Sequence, residues 1–264
     1  MNDKRWEPQL TEAFRKDSDT EDFLSDLNEA LTAFERDGWV DVQNPPPSVF
    51  IYGVPRSGTT LLNQLLASRT DVGYINNLIA AFWQAPTVGV RLSKLLLEGT
   101  RADSYESKFG RTNGIEEPHE FGYFWSDLLC YRDAPRPGSA GPVEWSHVRK
   151  VLGNIAGTFG RSVVYKAFFA GWHTTEIMEV LPNSLFVYVH RDPVANAISL
   201  LKTRREYGAG EEQWVGVQPR EYHWLKDRPY WEQVAGQTVF LNRYYKDRIN
   251  EIRKSNRMIL SYGD

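Results

Sequence analysis

The chain has 264 residues, enough for one large domain with a continuous core, and its 41% hydrophobic and 25% charged content is that of a globular protein rather than a disordered or fibrous one. A formal charge of −3 argues against wholesale binding of nucleic acid and leaves room only for a local basic pocket. One cysteine, Cys130, excludes an intrachain disulfide, no apolar run reaches the ~18–20 residues that span a bilayer, and neither a signal-peptide core nor an Asn-x-Ser/Thr sequon occurs; a cytoplasmic, reducing location is expected.

In chain order, residues 1–46 read as a polar N-terminal segment with one packing helix. Thr20, Glu21 and Asp22 start it, Phe23, Leu24, Leu27, Leu31 and Phe34 give it an apolar face, and Gly38 ends it. Asn44-Pro45-Pro46-Pro47 is a stiff lead-in to an α/β domain over 47–264. Val49–Tyr52 reads as a buried strand, Gly53–Gly58 as a turn with glycine at both ends, and Thr59 onward as a helix carrying Leu61, Leu62, Leu65 and Leu66. Strand, loop and helix together bring backbone N–H groups and the positive end of a helix to one point, where an oxyanion binds. Arg56 adds a permanently charged fork, and Ser57, Thr59 and Thr60 add hydroxyl donors. The loop is not the nucleoside-triphosphate type, because Thr59 stands where that motif needs lysine after its glycine.

Val72–Ile75 reads as a short strand, 76–99 as two helices broken at Pro86, and 100–115 as a polar loop. Glu116, Glu117, His119 and Glu120 then precede an aromatic run. Pro118 with these carboxylates fits the first turn of a helix; equally, the cluster supplies a general base beside an acceptor pocket. A single histidine is too few for a metal centre, and no metal is expected. After a loop over 131–143 and a helix over 144–159, the strand Ser162–Lys166 ends on a lysine, at the end of a parallel strand where ligands sit. A short helix over 173–181 and the strand Leu185–Val189 lead into His190-Arg191-Asp192-Pro193, which opens a helix carrying Ser199. Lys202, Arg204 and Arg205 read as a solvated basic helix end beside a polar loop or lid over 202–227. A long amphipathic helix over 229–254 and a strand over 257–262 complete the chain.

Two of these stretches carry a resemblance. Pro55-Arg56-Ser57-Gly58-Thr59-Thr60-Leu61-Leu62 resembles the 5′-phosphosulfate loop of sulfotransferases, in the branch that includes bacterial carbohydrate and protein-tyrosine sulfotransferases. Arg191 and Ser199, eight residues apart after an apolar strand, match that family's 3′-phosphate pair. The resemblance implies a sulfotransferase fold, a P-loop-like parallel sheet flanked by helices. It implies 3′-phosphoadenosine 5′-phosphosulfate (PAPS) as donor and in-line transfer to an acceptor hydroxyl, with a saccharide or glycolipid as the expected acceptor. Arg56, Ser57, Gly58, Thr59 and Thr60 would hold the phosphosulfate, Arg191 and Ser199 the 3′-phosphate, and Lys166 would sit near the transferring group.

The base departs from the family pattern. Asn76, twenty residues after Arg56, stands where tyrosine-sulfating relatives carry glutamate, and the first histidine after Lys166 is the distant His173. The expected base therefore falls to Glu117 or His119, with Glu116 and Glu120 behind them. Tyr262-Gly263-Asp264 matches a turn that in the family precedes a further helix, so the C-terminal part of the domain is expected to be short. The competing readings are a non-catalytic nucleotide-binding or scaffold protein on the same fold, and a P-loop kinase. Acceptor identity and oligomeric state have no signature in the sequence.

Overall fold

The structure is a computed structural model and describes residues 10–263. Its centre is a parallel sheet of β1 (Ser48–Tyr52), β2 (Gly73–Tyr74), β3 (Val163–Lys166), β4 (Leu185–His190) and β5 (Arg257–Ser261), in the order β2-β3-β1-β4-β5. Phe50 on β1 lies level with Tyr165 on one side and Phe186 on the other. Because side chains alternate along a strand, Phe50, Tyr52, Tyr165, Phe186 and Tyr188 fill one face of the sheet, and Ile51, Val164, Val187 and Val189 fill the other. On the first face the rings stack across strands, with Phe50 5.5 Å from Tyr165 and 5.3 Å from Phe186. Both faces are covered, which is why these strands read as unbroken apolar runs.

The helices are α1 (Ser18–Asp37), α2 (Thr59–Arg69), α3 (Asn77–Ala80), α4 (Pro86–Leu96), α5 (Gly122–Leu128), α6 (Trp145–Phe159), α7 (Thr174–Val180), α8 (Pro193–Glu206), α9 (Tyr222–Leu225) and α10 (Tyr230–Glu251). Leu62 and Leu66 of α2 pack on the aliphatic face of the sheet, while Leu61 and Leu65 of the same helix point outward. The aromatic face is covered by α6, α7 and α10 through Leu152, Ile155, Ile177, Leu241, Tyr245 and Ile249. The N-terminal helix is tied in by a buried carboxylate. Glu35 of α1 accepts hydrogen bonds from the backbone N–H groups of Thr87 at 3.0 Å and Val88 at 3.2 Å, and from the Thr87 hydroxyl at 2.8 Å. The N-cap of α4, Ala85, offers no side-chain acceptor, so the carboxylate of another helix satisfies that helix start.

Two sequence expectations are corrected. No helix starts at Pro118: it lies in a bridge with Asn76, Phe121 takes a left-handed φ of 59°, and α5 begins at Gly122. The backbone there is already engaged, with His119 N–H donating to Ile75 O at 2.8 Å and Asn77 N–H to Glu117 O at 3.0 Å, so the carboxylates cap nothing. The C-terminal end of α8 is not uniformly solvated either. Arg204 is fully buried, donating to Gln233 Oε1 at 2.7 Å, Gln237 Oε1 at 3.2 Å and Glu211 O at 3.2 Å, with its guanidinium 4.6 Å from the Trp214 ring centre. Burial lowers its pKa to about 10. Neutral amides one turn apart on α10 ease this burial by accepting from its two terminal nitrogens, with the Glu212 charge opposing the shift, while its Nε has no hydrogen-bond partner.

Candidate active site

The carboxyl ends of β1, β3, β4 and β5 converge on a cavity of about 370 Å³ whose walls include Arg56, Thr60, Glu120, Lys166, Arg191 and Tyr262. The loop after β1 is shaped by close approaches. A Cβ on Gly53 would lie 2.1 Å from Val189 O, so only glycine lets the end of β1 press against β4. Arg56 has φ 74°, a left-handed conformation that costs a non-glycine residue strain and recurs at ligand-binding loops. Gly58 (φ 101°) caps α2 without a side-chain hydrogen bond, leaving the first-turn N–H groups to another acceptor. The ring of Tyr262 occupies the space a Cβ on Gly58 would need, 2.3 Å from Tyr262 Cδ2.

The two sequence motifs meet here. Arg56 Nε donates to Ser199 Oγ at 3.2 Å, and an Arg191 guanidinium nitrogen donates to Arg56 O at 3.4 Å. The Arg191 guanidinium also lies 4.8 Å from the centre of the Tyr262 ring. Asp192 caps α8 by accepting from Ala195 N–H at 2.8 Å, and buried Asn196 donates to Pro55 O at 2.8 Å. Asn196, which sequence reading missed, thus ties the second motif to the first. Burial, and then the neighbouring Arg191 charge, lower the pKa of Arg56. Arg56, Lys166 and Arg191 face one carboxylate, Glu120, in the cavity wall, so the site carries surplus positive charge and attracts anions. Ser57 does not reach the cavity; its hydroxyl is buried beneath the loop with no protein partner. Thr59 and Thr60 line it.

Lys166, almost wholly buried, donates to Thr60 Oγ1 at 2.6 Å and forms an ion pair with Glu120. Gly110 closes over this trio: a Cβ there would lie 3.0 Å from Glu120 Oε1, 3.5 Å from Lys166 Nζ and 3.7 Å from Thr60 Oγ1. The acidic cluster is divided. Glu117 is buried outside the cavity, accepting from Ser104 N–H at 3.1 Å and Gln64 Nε2 at 3.5 Å, where it fixes the loop onto α2. His119 accepts from Phe121 N–H at 2.9 Å through Nδ1, and its ring opens onto a second cavity of about 440 Å³. Desolvation by the surrounding protein lowers its pKa. Glu120 lines both cavities, at a junction it shares with Phe109, Gly110 and Tyr207. Asn76 is a buried cap, accepting from Ile79 N–H at 2.8 Å and donating to Ser93 Oγ at 2.8 Å. His173 is hydrogen-bonded to the Tyr131 hydroxyl at 2.9 Å and lines neither cavity.

Among the described residues no group of three or more His, Cys, Asp or Glu side chains is placed to hold a metal ion, and no helix is long and apolar enough to cross a membrane. A search of curated protein sequences returns no match. Among solved structures, sulfotransferase STF9 from Mycobacterium avium aligns with a TM-score of 0.54 at 15% identity, covering 97% of this chain and 69% of that one. Sulfotransferase STF1 from Mycobacterium tuberculosis aligns with a TM-score of 0.49 at 13% identity, covering 90% of this chain and 67% of that one. The sulfotransferase domain from the curacin biosynthetic pathway aligns with a TM-score of 0.44 at 16% identity, covering 83% and 68%. At such identities the likeness to STF9 speaks for the fold alone. The sequence pattern of the Sulfotransferase family matches residues 47–262, a span that contains the β1 loop, Lys166, Arg191 and Ser199. The chain belongs to the sulfotransferase family, on an α/β fold built around a five-stranded parallel sheet.

Proposed function

We propose that the protein transfers a sulfuryl group from PAPS to an acceptor hydroxyl. The observation that carries this reading is the convergence of Arg56, Lys166 and Arg191 on one cavity with a single opposing carboxylate. The first-turn N–H groups of α2, Arg56, Thr59 and Thr60 would bind the 5′-phosphosulfate. Arg191 and Ser199 would bind the 3′-phosphate that separates this donor from ATP. In the transfer the acceptor oxygen forms a bond to sulfur as the bond from sulfur to the 5′-phosphate oxygen breaks. The electron pair leaves on that phosphate oxygen, and the hydroxyl proton passes to a base. The transition state of such transfers is loose, with charge gathering on the leaving oxygen. Arg56 and Lys166 are the cations that would stabilise it.

For the base, the geometry favours Glu120, which faces both cavities; His119 stands beside it, and Glu117 acts at a distance by holding the loop. The second cavity would hold the acceptor. Its walls pair aromatic rings, Trp83 and Tyr123, with polar groups such as Asn77 and Thr112, a lining that suits a saccharide ring with its apolar faces and hydroxyl rim. Titration calorimetry with 3′-phosphoadenosine 5′-phosphate, AMP and ATP tests the donor assignment. The bisphosphate should bind at least about tenfold tighter than AMP, as expected for one added charge-assisted contact. Equal affinities, or a preference for ATP with magnesium, would overturn it. A screen of saccharides with labelled PAPS then tests the acceptor class.

A further inference from the structure

The ammonium of Lys166 already has an anion. Its partners are the Thr60 hydroxyl and the Glu120 carboxylate, and Gly110 packs over all three. If Lys166 serves the transferring group, donor and carboxylate compete for the same cation. A lysine this buried does not go unpaired without a large desolvation penalty, so one of the two anions must hold it at any time. Glu120 is free to yield the place, because its side chain is 38% exposed and its other side faces the second cavity, where Lys16 and Arg111 also line the wall.

Resting on the donor reading above, we infer that Glu120 is a built-in counter-anion. It occupies Lys166 until the phosphosulfate displaces it, and the displaced carboxylate then turns into the second cavity to meet the acceptor. No covalent bond changes in this exchange; an ion pair passes from one anionic oxygen to another. Its consequence is order. The carboxylate is released to take a proton only once donor is bound, so the base is absent from the acceptor cavity while the sulfuryl group is absent from the other.

The exchange is read by binding alone, without knowledge of the acceptor. Wild type, Glu120→Gln and Glu120→Ala are titrated by calorimetry with 3′-phosphoadenosine 5′-phosphate and with adenosine 3′-monophosphate, which lacks the 5′ anion. Both variants should bind the bisphosphate several-fold to about tenfold tighter, since no carboxylate has to be expelled, and the monophosphate within twofold of wild type. Unchanged or weaker bisphosphate binding in folded variants, checked by their melting temperatures, overturns the inference. Equal tightening of both nucleotides also overturns it, because the effect would then be general charge rather than competition at Lys166. Wild type that binds neither nucleotide sinks the donor reading itself, a result distinct from the other two.

Discussion

At the scale of the residue, the two arginines of the cavity are not interchangeable. Arg56 lies on the β1 loop, with its Nε on Ser199, whereas Arg191 comes from the end of β4 and braces Arg56 O. Arg191→Ala is therefore expected to weaken 3′-phosphoadenosine 5′-phosphate about tenfold or more while leaving AMP nearly untouched, and Arg56→Ala to weaken both. Calorimetry with the two nucleotides checks this; equal losses with both ligands for Arg191→Ala would remove it from the 3′-phosphate. Arg56, Thr60, Lys166 and Arg191 were legible in the sequence because each follows an apolar strand, where chain direction alone puts it at the ligand end of a parallel sheet. Which of Glu117, His119 and Glu120 lines the cavity beside Lys166 was not legible. They lie in an irregular segment, which has no period to say where a side chain points, so Glu117 turns to Ser104 N–H and Glu120 to the Lys166 ammonium. Arg204 misled for a different reason. Its burial depends on Gln233 and Gln237, which are distant in sequence and carry no charge pattern that announces a partner.

At the scale of the element, strands and helices with a clear period lay where the sequence put them, and the misplaced helix start was one that long-range pairing overrode. Pro118 has the local chemistry of a first turn, yet the strand-like contact with Asn76 uses its backbone instead. Glycines separate two kinds of element constraint. At Gly53 the obstacle is Val189 O, a backbone atom inside the sheet that cannot move aside. Gly53→Ala should cost about 1–3 kcal/mol or more, as overpacking in a rigid site does. At Gly160, the C-cap of α6 with φ 72°, nothing lies within 4 Å of the added methyl. Gly160→Ala should cost only the left-handed strain, about 1 kcal/mol. Urea midpoints of the two variants check the order, and a larger loss at Gly160 would refute the assigned causes.

At the scale of the whole molecule, the strand order β2-β3-β1-β4-β5 sets β1 between β3 and β4, and so places the loop, Lys166 and Arg191 side by side. No single stretch of sequence specifies that order; it is a property of which strands pair. The same packing that builds the sheet's aromatic side also half-buries His173 against Tyr131 and Trp145 at the start of α7, and this gives the fold a pH dependence. Burial lowers the His173 pKa from 6.5 to about 4, with Glu176 opposing and Arg248 assisting. Between those two values the unfolded chain binds a proton that the folded chain refuses, so stability is complete above pH 6.5 and declines as the pH falls toward 4. The loss from this residue is about 1–3 kcal/mol, toward the lower end because the ring is partly exposed. His119 and His147 are shifted the same way, while Glu176, shifted down, acts only below its ordinary carboxylate value of 4.5. Replacing His173 with glutamine keeps a partner for the Tyr131 hydroxyl and removes the titration. Urea midpoints at about pH 7.5 and about pH 5 should then differ less for His173→Gln than for wild type, by part and not all of the wild-type slope. An unchanged slope would mean that this imidazole takes up its proton in the folded state as readily as in the unfolded one, and the acid sensitivity would pass to His119 and His147.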